Sequence, residues 1–119
     1  MPRQTGHAER RRHQRVPAPI PFHLLADGKD EPFDLVDLSE SGVRISAPRS
    51  LTPMTRIQVR MILPAKRVAA KSDVALDLSG VVVWSHKEPK LPTFDVGVFF
   101  AELDDRQRNL LRAFVGSHA

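Results

Sequence analysis

Two segments of the chain carry side chains suited to binding a phosphate-bearing partner. The first holds Arg11 and Arg15, four residues apart in an arginine-rich stretch. Arginine can fork onto phosphate oxygens, bond to the O6/N7 edge of guanine and stack on a base. The second is a D-x-S-x-x-G segment formed by Asp37, Ser39 and Gly42. The two segments together predict a site for an anion that also presents hydrogen-bond donors.

The D-x-S-x-x-G segment offers a different chemistry at each position. Asp37 can accept hydrogen bonds from N–H donors of a partner, and Ser39 can bond to either a base or a phosphate. Gly42 tolerates positive φ and lets the amides of a turn face an oxygen. On its own the hexapeptide is typical of an ordinary β-turn, and here a turn and a binding site are compatible.

Positive charge is concentrated at the start of the chain. Residues 1–15 hold five arginines and one acid, Glu9, a local sum of +4 that equals the formal net charge of the whole chain. These residues are polar and lack apolar periodicity, so we expect 1–15 to form a flexible basic arm and 16–119 to form the folded domain. A solvated tail is the alternative interpretation of such an arm. Its arginines are Arg3, Arg10, Arg11, Arg12 and Arg15.

Composition excludes several classes of function. The 119 residues include no cysteine, which removes disulfides and thiol nucleophiles and fits a reducing compartment. No stretch approaches the roughly 20 apolar residues of a membrane span, and the N-terminus lacks a signal-peptide run, so the expected location is the cytoplasm.

The sequence also lacks the residue patterns of metal sites and of serine catalysis. The five histidines show no paired metal-ligand spacing. Ser39 and Ser41 lack a nucleophile-elbow context, so no enzyme activity, metal or cofactor is predicted.

Period-two alternation of apolar and polar residues predicts about five to seven short strands, and one amphipathic helix follows them. The predicted fold is mainly β: a small antiparallel barrel, six-stranded and Greek-key-like, with a C-terminal α-helix and the flexible basic arm. Asp104 and Gln107 form a predicted capping box for a helix over 103–116. The predicted strands are 20–26 at a sheet edge, 33–38, 42–46, 55–63, 74–84 with a bulge or bend at Gly80, and 94–100.

The order of these features resembles the PilZ domain family, whose ligand is cyclic di-GMP. An R-x-x-x-R pair precedes the first strand, and D-x-S-x-x-G lies at a later strand-to-strand corner. The late strands and the closing helix extend the likeness over nearly all of residues 9–116. Gln14 departs from it, since many relatives have proline there. The resemblance implies that the ligand contacts are made by Arg11, Arg15, Asp37, Ser39 and Gly42.

Five further residues are candidate ligand contacts. Arg10 and Arg12 add charge beside the R-x-x-x-R pair, and Arg10, directly ahead of it, favours a stacked dimer of the ligand over a single molecule. Trp84, near the end of an apolar strand, is either a core residue or a platform for a base. Arg44 is expected on the outer face of its strand. The additional candidates are Arg10, Arg12, Ser41, Arg44 and Trp84.

The resemblance implies a bacterial receptor in which ligand orders the arm over the barrel. With a single predicted domain, an output protein in trans is expected, and the family suggests motility and biofilm formation among the controlled processes. A nucleic-acid-binding barrel is the rival class, although only 6% of residues are aromatic and tyrosine is absent. A third interpretation is a PilZ-like adaptor that binds only protein.

Overall fold

Most strands lie where period-two alternation predicts them, but the strand predicted at 33–38 begins at Lys29, the one predicted at 74–84 ends at Lys87, and a further short strand lies at Val16–Pro17. The computed structural model describes residues 14–26 and 29–117. A short 3-10 turn at Ala65–Arg67 lies between the fifth and sixth strands of this described part. The elements are β1 Val16–Pro17, β2 Phe22–Ala26, β3 Lys29–Leu38, β4 Gly42–Ala47, β5 Arg56–Leu63, β6 Val74–Lys87, β7 Phe94–Ala101 and α1 Asp105–Gly116.

Six of the strands close into an antiparallel barrel. They follow the order β3-β2-β5-β6-β7-β4, and pairing of β4 with β3 completes the ring, while the two-residue β1 adds to β3 outside it. The predicted barrel with a C-terminal helix is therefore confirmed. The edge position predicted for 20–26 was wrong, because β2 pairs with both β3 and β5. The prolines precede Phe22, so β2 itself keeps the amides it needs on both sides.

Alternate residues of each strand fill the barrel interior. In β5, Val59, Met61 and Leu63 are buried, while the residues between them are partly accessible. The same period places Val96 and Val98 of β7 inside. One contiguous core results, and it includes Phe22, Leu24, Phe33, Leu35, Val43, Ile45, Val59, Met61, Leu76, Leu78, Val82, Val96 and Val98.

A β-bulge in β3 changes the facing of the residues that follow it. Leu35 pairs with Ile45 and Asp37 pairs with Arg44, so Val36 is the extra residue. Simple alternation would put Asp37 on the buried face with Leu35. The bulge instead turns Asp37 outward beside Arg44 and lets Leu38 enter the core.

A second bulge lies in β6, between Val82 and Trp84. The bulge predicted at Gly80 was wrong, because Gly80 pairs regularly with residues of both β5 and β7, and the alternative of a bend there stays a prediction. Its missing side chain serves close packing, since a Cβ there would lie 2.6 Å from Cγ1 of Val98. The bulge between Val82 and Trp84 turns Trp84 to the outer face of the barrel.

Helix α1 begins after the predicted capping box. The Asp104 carboxylate accepts from the Gln107 amide at 2.7 Å, and the Gln107 side chain accepts from the Asp104 amide at 2.9 Å. The apolar stripe of the helix, Leu111, Phe114 and Val115, is buried. Over residues 14–26 and 29–117, no helix has the length and apolarity needed to cross a bilayer.

Candidate functional site

Strand β1 fixes Arg15 beside the D-x-S-x-x-G segment. Val16 is fully buried and pairs with Leu38, so Arg15 is carried past the end of β3. Its Nε donates to Oδ1 of Asp37 at 2.6 Å, and its Nη1 lies 3.5 Å from Oγ of Ser39. The two sequence segments are therefore in direct contact through their arginine and their carboxylate.

Ser39 organises the corner between β3 and β4. It is 0% exposed, and its Oγ accepts from the amides of Ser41 and Gly42, each at 3.2 Å. Its own amide donates to the Gly42 carbonyl at 2.9 Å. The hydroxyl thus accepts hydrogen bonds from turn amides that were predicted to face an oxygen of the ligand. A ligand contact by Ser39 stays a prediction.

Gly42 is needed for close approach of two strands. A Cβ at this position would lie 2.4 Å from the carbonyl oxygen of Val98 in β7. Its φ lies outside the left-handed region, so the expected use of positive φ was wrong. The glycine instead allows β4 to begin at once against β7, which keeps the turn small and holds Asp37 near Arg44.

Four alternating charges run across the outer face of the barrel. Arg44 lies between two carboxylates: its Nε donates to Oδ1 of Asp95 at 2.8 Å, and its Nη1 is 3.7 Å from Oδ2 of Asp37. The hydrogen bond to Asp95 raises the pKa of Arg44 above its ordinary value. We call Arg15, Asp37, Arg44 and Asp95 the charge row. The formal charges of the row cancel in sum.

Trp84 lies across the backbone of β7. It pairs with Gly97, and a Cβ on Gly97 would lie 2.3 Å from Cε2 and 2.4 Å from Nε1 of the indole. The tryptophan is half-buried, and the His86 ring is tilted beside it with centroids 5.4 Å apart. The indole therefore belongs to the outer face and not to the barrel core.

One open concavity of about 280 Å³ lies between the side chains of Arg15, Asp37, Arg44 and Trp84. Phe99, which is 58% exposed, forms part of its wall. We call this concavity the first site. Its lining residues are Arg15, Asp37, Val43, Arg44, Val83, Trp84, Gly97, Val98 and Phe99.

The structure thus brings four sequence candidates, Arg15, Asp37, Arg44 and Trp84, into one place, with the Ser39–Gly42 turn beside them. Ser41 is half-buried, with its Oγ 3.2 Å from that of Ser39. The candidates Arg10, Arg11 and Arg12 lie outside the described residues. Their roles as ligand contacts remain predictions.

Sequence reasoning missed Asp95, Gly97 and Phe99. All three lie on the outer face of β7, because Val96 and Val98 between them face the core. Period-two alternation carried through this strand would have placed them beside Arg44. The alternation in this strand was ambiguous, because Phe99 and Phe100 are adjacent and either could be the buried aromatic.

The closed six-stranded antiparallel barrel and its C-terminal helix define a small β-barrel domain. The sequence profile of the PilZ domain matches residues 9–117. The chain therefore belongs to the PilZ domain family. No curated protein matches it.

Solved structures share this fold at low sequence identity. The Bacillus subtilis inhibitor of motility, MotI/DgrA, aligns with a TM-score of 0.77 and 14% identity, covering 92% of this chain and 50% of that chain. The PilZ domain of YcgR from Escherichia coli with c-di-GMP gives 0.64 and 19%, covering 91% and 90%. The K. pneumonia MrkH–c-di-GMP complex gives 0.62 and 12%, covering 90% and 51%. This chain thus spans about half the length of MotI and of MrkH.

Substitution of Gly97 by alanine should displace Trp84. The new methyl group would overlap the indole, and we expect a loss of about 1–3 kcal/mol in the free energy of unfolding. Near-ultraviolet circular dichroism and fluorescence of Trp84 should change as well. Gly116→Ala is the matched control, because the Cβ it would add has no close neighbour within 4 Å among the described residues. Equal stability and unchanged spectra in both variants would contradict the described packing of Trp84.

Proposed function

We propose that this protein is a non-enzymatic receptor for cyclic di-GMP that acts in the cytoplasm. The observation that carries the proposal is the meeting of Arg15, Asp37, Arg44 and Trp84 around the first site. Family membership supports it, as do the c-di-GMP complexes of YcgR and MrkH, which share the fold.

Each part of the ligand has a suitable partner at the first site. Oδ1 of Asp37 is bonded to Arg15, while Nη1 of Arg44 lies 3.7 Å from Oδ2. That distance is too long for a hydrogen bond, so Oδ2 can accept from N1 and N2 of guanine. Trp84 presents an indole on which a base can stack. Arg15 and Arg44 have guanidinium groups that can turn to phosphate oxygens.

The basic arm is proposed to supply positive charge that the first site lacks. The ligand brings two phosphodiester anions, whereas the charge row is neutral in sum. We propose that Arg11, with Arg10 and Arg12, supplies the missing positive charge and that this excess holds a stacked ligand dimer. Because Arg15 already contacts Asp37, the ordering that ligand induces concerns the residues before it. Ordering costs part of the binding free energy and creates a switch.

The ordered arm would change the surface offered to another protein. We propose that a separate output protein reads this change. Control of motility is the process best supported, because MotI, described as an inhibitor of motility, has the same fold. Biofilm formation is the second process that we propose for the same switch.

The sole tryptophan of the chain gives a direct test of the receptor function. Titration with cyclic di-GMP should change Trp84 fluorescence with micromolar or tighter affinity, and equilibrium dialysis should give the same affinity. GTP and cyclic di-AMP should not compete. Asp37→Ala should lose binding about tenfold or more, since a charged hydrogen bond contributes roughly 1.5–3 kcal/mol.

Asp77→Ala is the matched control for the Asp37 variant. Asp77 also pairs with an arginine, Arg60, at 2.6 Å, but it is not part of the first site. Its binding should equal that of the unmodified protein. Absence of cyclic di-GMP binding by both methods would refute the receptor proposal.

A further inference from the structure

A second concavity lies on the other side of Phe99 from the first site. It measures about 340 Å³ and is formed where the Ser39–Gly42 turn meets helix α1. Phe99 belongs to the walls of both concavities, so they are separated by a single side chain. We call it the second site; Glu40, Ser41, Phe99, Phe100, Arg108 and Arg112 line it.

The second site repeats the chemistry of the first. Oε1 of Glu40 accepts from Nε of Arg112 at 3.2 Å, as Oδ1 of Asp37 accepts from Nε of Arg15 at 2.6 Å. The side chains of Glu40 and Arg112 are 22% and 58% exposed. Those of Asp37 and Arg15 are 19% and 44% exposed. Each site thus has a sheltered carboxylate, an accessible arginine and a phenylalanine wall.

Among the charged side chains around the second site, Glu40 and Arg112 are the pair best placed to bind a ligand. Arg108 is held by the helix start, since its Nη2 donates to the Leu103 carbonyl at 3.0 Å. Glu102 is 71% exposed and faces Arg56 at 2.7 Å. Glu40 is therefore the more enclosed carboxylate of the second site.

A carboxylate beside an arginine suits the hydrogen-bonding edges of guanine. The carboxylate accepts from N1 and N2, and the arginine donates to O6 and N7. Adenine lacks this arrangement, because it has a donor at N6 and no hydrogen at N1. We propose that the second site binds a second guanine base of the ligand, with Glu40 and Arg112 reading its edge. This inference rests on the proposed receptor function.

The second guanine can come from the same cyclic di-GMP molecule or from its stacked neighbour. Both sources present the same base to Glu40 and Arg112. Calorimetric stoichiometry distinguishes them: one ligand per chain indicates that a single molecule reaches both sites, and two per chain indicate a stacked dimer. One ligand per chain overturns the stacked dimer and assigns both guanines to a single molecule, whereas two per chain support the dimer.

A ligand with one guanine and one adenine tests the inference. The unmodified protein should bind this hybrid cyclic GMP–AMP about tenfold more weakly than cyclic di-GMP, the factor expected for one good base contact. Glu40→Ala should bind cyclic di-GMP about tenfold more weakly and should no longer distinguish it from the hybrid. Arg112→Ala should behave in the same way. Affinities are measured by titration calorimetry on the full chain.

Two controls separate recognition from folding and from the receptor function itself. Glu31→Ala removes a carboxylate paired with Arg49 at 2.9 Å, away from both sites, and should keep the preference for cyclic di-GMP. Thermal melting of each variant reports its folding. A preference that persists in folded Glu40→Ala and Arg112→Ala overturns the second site while leaving the receptor function intact. If the unmodified protein binds neither ligand, the receptor function itself fails.

Discussion

Replacement of Arg15 by alanine is expected to weaken cyclic di-GMP binding about 100-fold, since two charge-assisted hydrogen bonds contribute roughly 3 kcal/mol. Arg15 is the one arginine of the R-x-x-x-R pair within the described residues, and it joins that pair to Asp37 and Ser39. Its loss would remove a phosphate-binding group. It would also leave the Asp37 carboxylate less neutralised, facing an anionic ligand. Both effects act in the same direction.

Arg60→Ala is the control for this substitution. Arg60 has two hydrogen bonds to Asp77, at 2.6 and 2.9 Å, and lies on β5 outside the first site. Its side chain is 40% exposed, close to the 44% of Arg15. We expect unchanged affinity in Arg60→Ala by titration calorimetry. Equal losses in the two variants would mean that net charge, and not the site, governs binding.

Replacement of Phe114 by alanine is expected to lower the free energy of unfolding by about 3–5 kcal/mol. Phe114 is fully buried and is the largest apolar side chain that α1 inserts against the barrel. The guanidinium of Arg67 lies 3.9 Å from its ring centroid, and Nη2 of Arg67 donates to its carbonyl at 2.9 Å. A cavity at this position would therefore loosen the helix and also its contact with the 3-10 turn.

Phe99→Ala provides the comparison for Phe114→Ala, because the same atoms are removed from a side chain that is 58% exposed. Its loss of stability should be within about 0.5 kcal/mol, as for most exposed positions. Urea denaturation followed by circular dichroism measures both variants. A loss below about 1 kcal/mol for Phe114→Ala would contradict the described packing of α1.

Local patterns were enough to predict most of the fold. Alternation located the strands of the barrel, and Asp104 with Gln107 located the start of α1, because these signals depend only on neighbouring residues. The partners of β2 could not be read in this way. Strand pairing depends on contacts between distant residues, and the prolines before β2 suggested an edge that the barrel does not have.

The candidate site was predicted only in part, because residue types are visible in the sequence whereas strand register is not. Arg15, Asp37, Arg44 and Trp84 stand out by residue type, and the structure brings them together. The bulge at Val36 that turns Asp37 outward leaves no local signature, since Val36 is an ordinary strand residue. Only the register between β3 and β4 reveals it.

The turn residues show how one residue type can serve two demands. Serine and glycine at Ser39 and Gly42 suit both ligand binding and tight packing. The structure assigns them packing tasks: the Ser39 hydroxyl caps turn amides, and Gly42 admits the Val98 carbonyl. For Gly42, sequence alone could not separate these tasks, because the deciding contact comes from Val98 of β7.

Isothermal titration of the full chain with cyclic di-GMP tests the central claim most directly. We predict binding with micromolar or tighter affinity that survives moderate salt and is not matched by a DNA oligonucleotide of mixed sequence. Salt resistance follows from base contacts and stacking, whereas backbone contacts to nucleic acid weaken steeply as salt rises. No heat with cyclic di-GMP, together with salt-sensitive binding of the oligonucleotide, would contradict the receptor function and favour a nucleic-acid-binding barrel.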